Sequence, residues 1–111
     1  MSEESTIKRG SRNIFADLSF PDAETHLLKA GLVTRIREIM TSEAWTQTQA
    51  AQRMGVNQPE VSRLLRGQFR EVSVERLMQM LTRLGCDVDI VIRGGGKGIA
   101  KATIHLEAQP S

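Results

Sequence analysis

Gln47, Gln58, Ser62, Arg63 and Arg66 lie within one short stretch of this 111-residue chain, residues 46–67, TQTQAAQRMGVNQPEVSRLLRG. Their chemistry is hydrogen bonding rather than bond making. A carboxamide presents a donor and an acceptor side by side, which suits N6 and N7 of adenine; a guanidinium offers two parallel donors, which suit O6 and N7 of guanine. Gln58 and Arg63, about one and a half helical turns apart, are the residues of those types. Ser62 beside them can reach a base edge or a phosphate. Thr46 and Gln47, at the opening of the preceding helix, can aim an amide and backbone N–H groups at a phosphate, aided by the helix dipole. Arg66 and Arg70, at the far end, suit phosphate clamping. Glu60 could accept from N4 of cytosine, but its position fits a helix cap better.

Such groups need a rigid mount. Ala50, Met54, Val56, Val61 and Leu64 are spaced to bury the junction of two short helices, with a turn at Gly55-Val56-Asn57. Thr46 and Gln49 form a capping-box pattern, and Gly55 accepts the left-handed conformation of a tight helix end. Asn57 is suited to cap the next helix, with Glu60 completing the box. Pro59 disfavours helical angles at Gln58, which leaves Gln58 at the helix tip. Trp45, the sole tryptophan, fits a core anchor or staple better than a nucleic-acid stacker.

Around this corner the apolar pattern predicts further elements. Leu28, Leu32, Ile36, Ile39 and Met40 make a buried stripe on a helix from about Ala23 to Ser42, with a break or bend expected near Gly31. Ser73 caps a helix through Leu84 whose buried face is Val74, Leu77, Leu81 and Leu84, with Met78 and Met80 as gap-filling core. Cys86 to Arg93 is β-branched and alternating, a strand that needs a partner from this chain or from another copy. Pairing with its symmetry mate would complete a two-stranded ribbon. Gly94 to Gly98 is too glycine-rich for helix or strand and lacks the Lys-Ser/Thr of a phosphate-binding loop. Ala102 to Glu107 alternates weakly and fits either a hairpin strand or an untied tail. The expected organisation is a flexible tail over 1–12, a domain over 13–93 opened by an apolar turn at Asn13–Phe20 and closed by the strand, and a Gly-rich break with a tail over 94–111.

Composition narrows the class. Aromatics are 4% and tyrosine is absent, so the core is aliphatic, as suits a small helical domain. The net charge of +2 hides a local excess: Arg53, Arg63, Arg66, Arg70 and Arg76 stand against Glu60, Glu71 and Glu75. Clustered arginine suits a polyanion, where counterion release drives binding. Cys86 is the only cysteine, so no internal disulfide or cysteine-based metal site can form. It fits a buried small hydrophobe rather than a redox switch. His26 and His105 are isolated, no paired-carboxylate or metal-ligand spacing occurs, and neither catalysis nor a cofactor is expected. No signal peptide or membrane span is expected, which points to the cytoplasm.

The segment Gln47…Ala51…Gly55-Val56…Gln58…Val61-Ser62-Arg63-Leu64…Gly67 resembles the helix-turn-helix of Cro/CI-type repressors, the xenobiotic-response-element family. The longer run from Asn13-Ile14-Phe15-Ala16-Asp17-Leu18 through Pro21-Asp22-Ala23-Glu24 to Ile92-Arg93 is similar to compact HigA-type antitoxins. The resemblance implies a mainly α fold: a compact lambda-repressor-like helix-turn-helix bundle of four to five helices followed by a C-terminal β-strand. It also implies a bacterial, nucleoid-associated homodimer on an inverted-repeat operator. In the antitoxin subgroup the protein would neutralise a RelE/HigB-like ribonuclease toxin, by way of Asn13–Phe20 or the first helix, and repress their shared promoter. A stand-alone repressor without a toxin is the alternative, and a protein-interaction module that touches no DNA is a third reading. Pro59 departs from the family, where a second polar reader is common, and leaves Gln58 and Arg63 with more of the base readout.

Overall fold

The computed structural model describes residues 3–8, 22–95 and 98–108, with side-chain environments over 22–91. The order of elements is β1 (Glu3–Lys8), α1 (Asp22–Glu43), α2 (Gln47–Met54), α3 (Gln58–Leu65), α4 (Val74–Arg83), β2 (Cys86–Gly95) and β3 (Gly98–Ala108). The apolar turn expected at Asn13–Phe20 lies outside the described residues. None of the described helices is long and apolar enough to cross a membrane.

α1 opens with Asp22 and Glu24 in its first turn, where acids favour the positive end of the dipole. It buries Leu28, Leu32, Val33, Ile36 and Met40, while Ile39 is half-buried against the same core. The break expected at Gly31 does not occur. A helical glycine costs about 1 kcal/mol relative to alanine, whereas burying a Leu, Ile or Val contributes roughly 1.5–3 kcal/mol, and four such residues lie within five positions of Gly31. The packed stripe wins.

α4 lies against α1 and β2 with Val74, Leu77, Met78, Met80 and Leu81 buried; Leu84, at its C-cap, is half-buried. Both methionines fill the core as their sequence positions imply. α2 and α3 close the bundle with Ala50, Ala51, Met54, Val61 and Leu64, and Val56 in the turn is half-buried.

The closing strand is part of a larger sheet, ordered β1-β2-β3 and antiparallel throughout. β2 is therefore central, with both edges taken by the chain's own strands, and the ribbon with a symmetry mate does not form through it. Residues 3–8, expected as flexible tail, pair as β1 from Glu3↔Gly94 to Lys8↔Asp89. Residues 98–108, expected beyond the domain, run back along β2 from Gly95↔Gly98 to Cys86↔Ala108. Glycines 94, 95 and 98 lie inside the strands, contrary to expectation, because ladder hydrogen bonds use backbone groups that glycine also carries. A register shift between Arg93 and Gly95 marks where the glycines depart from regular pairing.

Cys86, Val88 and Ile90 are buried on the face of β2 that α4 covers, while Asp87 is exposed and Asp89 half-buried on the other. Burial pushes the Cys86 thiol pKa up, so the residue behaves as a small hydrophobe.

Candidate nucleic-acid interface

The corner between α2 and α3 is fixed by short-range hydrogen bonds. Thr46 caps α2: its Oγ1 accepts from the Gln49 N–H at 3.1 Å, and Gln49 Oε1 accepts from the Thr46 N–H at 2.9 Å, completing the expected box. Gly55 ends the helix at φ 73°, with Val56 N–H donating to the Ala51 carbonyl and Gly55 N–H to that of Gln52. The pair is a Schellman closure, which needs the left-handed residue. Arg83 of α4 lies against this turn, since a Cβ on Gly55 would come within 3.2 Å of its guanidinium carbon.

Asn57 then caps α3, its Oδ1 accepting from the Glu60 N–H at 2.9 Å. Pro59 sits in the first turn, where no intrahelical donor is lost. The helix stops at Gly67, φ 85°, with Gln68 N–H bonded to the Arg63 carbonyl and Gly67 N–H to that of Leu64.

Glu60 does not complete a second capping box. Its carboxylate takes two parallel bonds from Arg76 of α4, Nε at 3.0 Å and Nη2 at 3.1 Å. The guanidinium fork fits a carboxylate better than one backbone N–H does. Arg76 is held above its usual pKa, first by that hydrogen bond and then by the charge of Glu60. Glu60 is thereby occupied within the protein.

At about 100° per residue, Ser62, Arg66 and Arg63 fall roughly 40°, 80° and 140° around α3 from Gln58, while Glu60, Val61, Leu64 and Leu65 occupy the other half. The burial pattern follows this division: Val61 and Leu64 are buried, Leu65 half-buried, and Gln58, Arg63 and Arg66 exposed. Ser62 is half-buried at the base of the outward arc. Gln58 Nε2 donates to Gln47 Oε1 at 2.6 Å, which joins the first residues of the two helices and fixes the amide at the tip. Gln47 is half-buried and Thr46 exposed beside it.

The five arginines of the basic stretch separate into two groups. Arg53 stacks over the Trp45 ring at 4.8 Å and Arg76 is paired with Glu60. The guanidinium groups of Arg63, Arg66 and Arg70 have no partner among the described residues, and all three residues are exposed. Trp45 is half-buried against the core, an anchor as its position implies.

Sequence reasoning missed the residues that hold the far end of α3. Arg37 of α1 donates to the Leu65 carbonyl and Lys29 to the Arg70 carbonyl, each at 2.7 Å. Cations at a helix C-terminus satisfy orphan carbonyls and complement the dipole. His26 adds a stacked contact to Phe69, with ring centroids 5.2 Å apart, which ties the Phe69–Arg70 loop to α1. The available signal was general: open carbonyls after Leu65 call for donors, but nothing local says that α1 supplies them.

Two short helices at a fixed corner, the second presenting an amide and unpaired guanidinium groups, define a helix-turn-helix DNA-binding protein. The chain belongs to the helix-turn-helix domain family, which it matches over residues 14–93. β1 and β3 lie outside the matched residues. No curated protein and no solved structure matches the chain.

Proposed function

We propose that the protein is a sequence-specific transcriptional regulator that reads bases with Gln58, Ser62 and Arg63 and holds phosphates with Thr46, Gln47, Arg66 and Arg70. The observation that carries this reading is the outward arc of α3 with the loop that follows it: an amide fixed by Gln47 at its tip, then Arg63, Arg66 and, in the loop, Arg70, all exposed and unpaired among the described residues. Gln58 and Arg63 are separated by about 7.5 Å of helix rise, close to two base steps of about 3.4 Å. One helix can thus address an adenine and a guanine in the same groove.

The operator is an inverted repeat bound by a homodimer, with recognition helices spaced by about one DNA turn (~34 Å). We assign the protein to autorepressing antitoxins that also neutralise a RelE/HigB-like toxin. What supports that assignment is the resemblance of the Asn13–Leu18 lead and the Gln58–Leu64 helix to HigA-type proteins. Selection of bound fragments from the source genome tests the whole reading. Enrichment of an inverted repeat upstream of this gene and a small adjacent reading frame is expected, with the product of that frame co-purifying. Enrichment only at distant promoters would turn the assignment to a stand-alone repressor, and no enrichment at moderate salt would remove DNA reading itself.

A further inference from the structure

The outward arc of α3 holds one side chain that the polar readers leave out. Pro59 follows Gln58 by about 100° of rotation and about 1.5 Å of rise, which sets it between Arg66 and Arg63 around the helix and at the tip along it. It is exposed, and it is the only apolar side chain on that arc, since Val61, Leu64 and Leu65 pack on the core. Helix geometry explains why proline is tolerated there: in the first turn its missing N–H would have no intrahelical acceptor. The helix start is closed by Asn57, whose Oδ1 accepts from the Glu60 N–H, and that bond makes no use of the exposed pyrrolidine ring.

We propose that Pro59 reads a thymine through its C5-methyl group, at the base pair next to the adenine addressed by Gln58, an assignment that rests on the base reading proposed above for α3. The ring carries no donor and no acceptor. Of the groups that base edges present in the major groove, only the thymine methyl is apolar. A cytosine amino group, or a purine N7, O6 or N6, set against the ring loses its water without gaining a partner. The methyl instead gains by leaving water. One position is thus selected by attraction to thymine and by a penalty on the other bases. Proline also has no side-chain entropy to lose, so little opposes the contact. The neighbouring residue sets the place. The Gln58 amide is held by Gln47 at 2.6 Å, and the rise from Gln58 to Pro59 is less than one base step of about 3.4 Å. The contact therefore falls on the base pair that adjoins the adenine.

Replacing thymine by uracil, one position at a time through the selected operator, removes the methyl and leaves the pairing edge intact. Binding of the full chain is measured at constant salt. One uracil, beside the position whose preference Gln58→Ala relaxes, should weaken binding by about fourfold, the worth of one buried methyl. In Pro59→Ser the same uracil should be without effect, and in Pro59→Val, which keeps an apolar surface, the sensitivity should persist. Circular dichroism reports that each variant is folded. A purely structural proline would give a different pattern: Pro59→Ser would weaken cognate and random duplexes alike, with the uracil felt equally before and after the change. That pattern, or an operator with no thymine beside the Gln58 position, would overturn the assignment to Pro59 while Gln58→Ala still relaxes its own position. A chain that selects no sequence at all would remove the base reading by α3 and the thymine contact with it, so the two failures are told apart.

Discussion

The helix ends of the corner formed by α2 and α3 are closed by bonds between residues at most five positions apart, and one bond between Gln58 and Gln47, eleven apart, joins the two helices, whereas the sheet joins Glu3 to Gly94, nearly the full length of the chain. In the corner each helix end is satisfied by its own cap: Thr46 with Gln49, Gly55, Asn57 and Gly67. Such a unit loses little loop entropy on forming, and its geometry is written locally. The sheet exists only once β1 and β3 are brought to β2 from the two ends of the chain. Yet both regions feed one core, since Val61 and Leu64 of the corner and Val88 and Ile90 of β2 belong to a single buried cluster. The lesson is a division of labour: local bonds give the reading head its shape, and long-range packing gives it a place to stand.

The largest expected effect breaks the long-range half. Ile90 is fully buried, and Ile90→Ala should cost about 2–5 kcal/mol of folding stability. Because the core is shared, the loss should lower one common transition, followed by far-ultraviolet circular dichroism and by fluorescence of the single Trp45 beside α2. A Trp45 transition left in place while the overall signal shifts would show that the corner stands without the sheet.

Arg63→Ala addresses the outward half of the corner. The residue is exposed and unpaired among the described residues, so stability should change by less than about 0.5 kcal/mol. Binding to the cognate operator should weaken by roughly 1–3 kcal/mol, with relaxed preference at one base position. Arg66→Ala should instead weaken cognate and random duplexes alike and flatten the salt dependence. Equal losses on both duplexes for both variants would remove Arg63 from base reading.

What was legible in the sequence follows the same division. The corner, its caps, the stripes of α1 and α4 and the strand at Cys86 were all readable, because each is a pattern within a few residues. Glu60 was misjudged: its nearest backbone donor was visible, but Arg76, sixteen positions on in the chain, was the stronger partner. Residues 3–8 looked like a tail because Ile7 is the only large apolar residue in EESTIK, too little to announce a strand without sight of β2. Arg37 and Lys29 gave no sign of their carbonyl partners for the same reason. The assigned roles of Gln58, Arg63 and their neighbours rest on residue chemistry, and the variants above are their test.

Local control of helix ends is sharpened by opposite substitutions after α2, in the corner, and after α1, just before it. Gly55→Ala forces a Cβ into a left-handed residue, which costs roughly 1–2 kcal/mol, and crowds the Arg83 guanidinium as well. Stability should fall accordingly in chemical denaturation.

Ala44 is the contrasting case, and the smallest effect. It ends α1 at φ 57°, with Trp45 N–H bonded to the Met40 carbonyl at 2.9 Å and Ala44 N–H to that of Thr41 at 3.2 Å, the same closure that glycine provides at positions 55 and 67. Here the strain of a left-handed alanine is already present in the native state. Ala44→Gly relieves roughly 1–2 kcal/mol of it and gives back about 0.5–1 kcal/mol through the freer unfolded chain. A net gain of about 0.5–1 kcal/mol should follow, visible as a higher denaturation midpoint with an unchanged slope. Ala44 is exposed, so no lost packing confuses the sign. A loss at Ala44→Gly together with a loss at Gly55→Ala would mean that these two helix ends are set by contacts with the rest of the fold rather than by their own backbone closures.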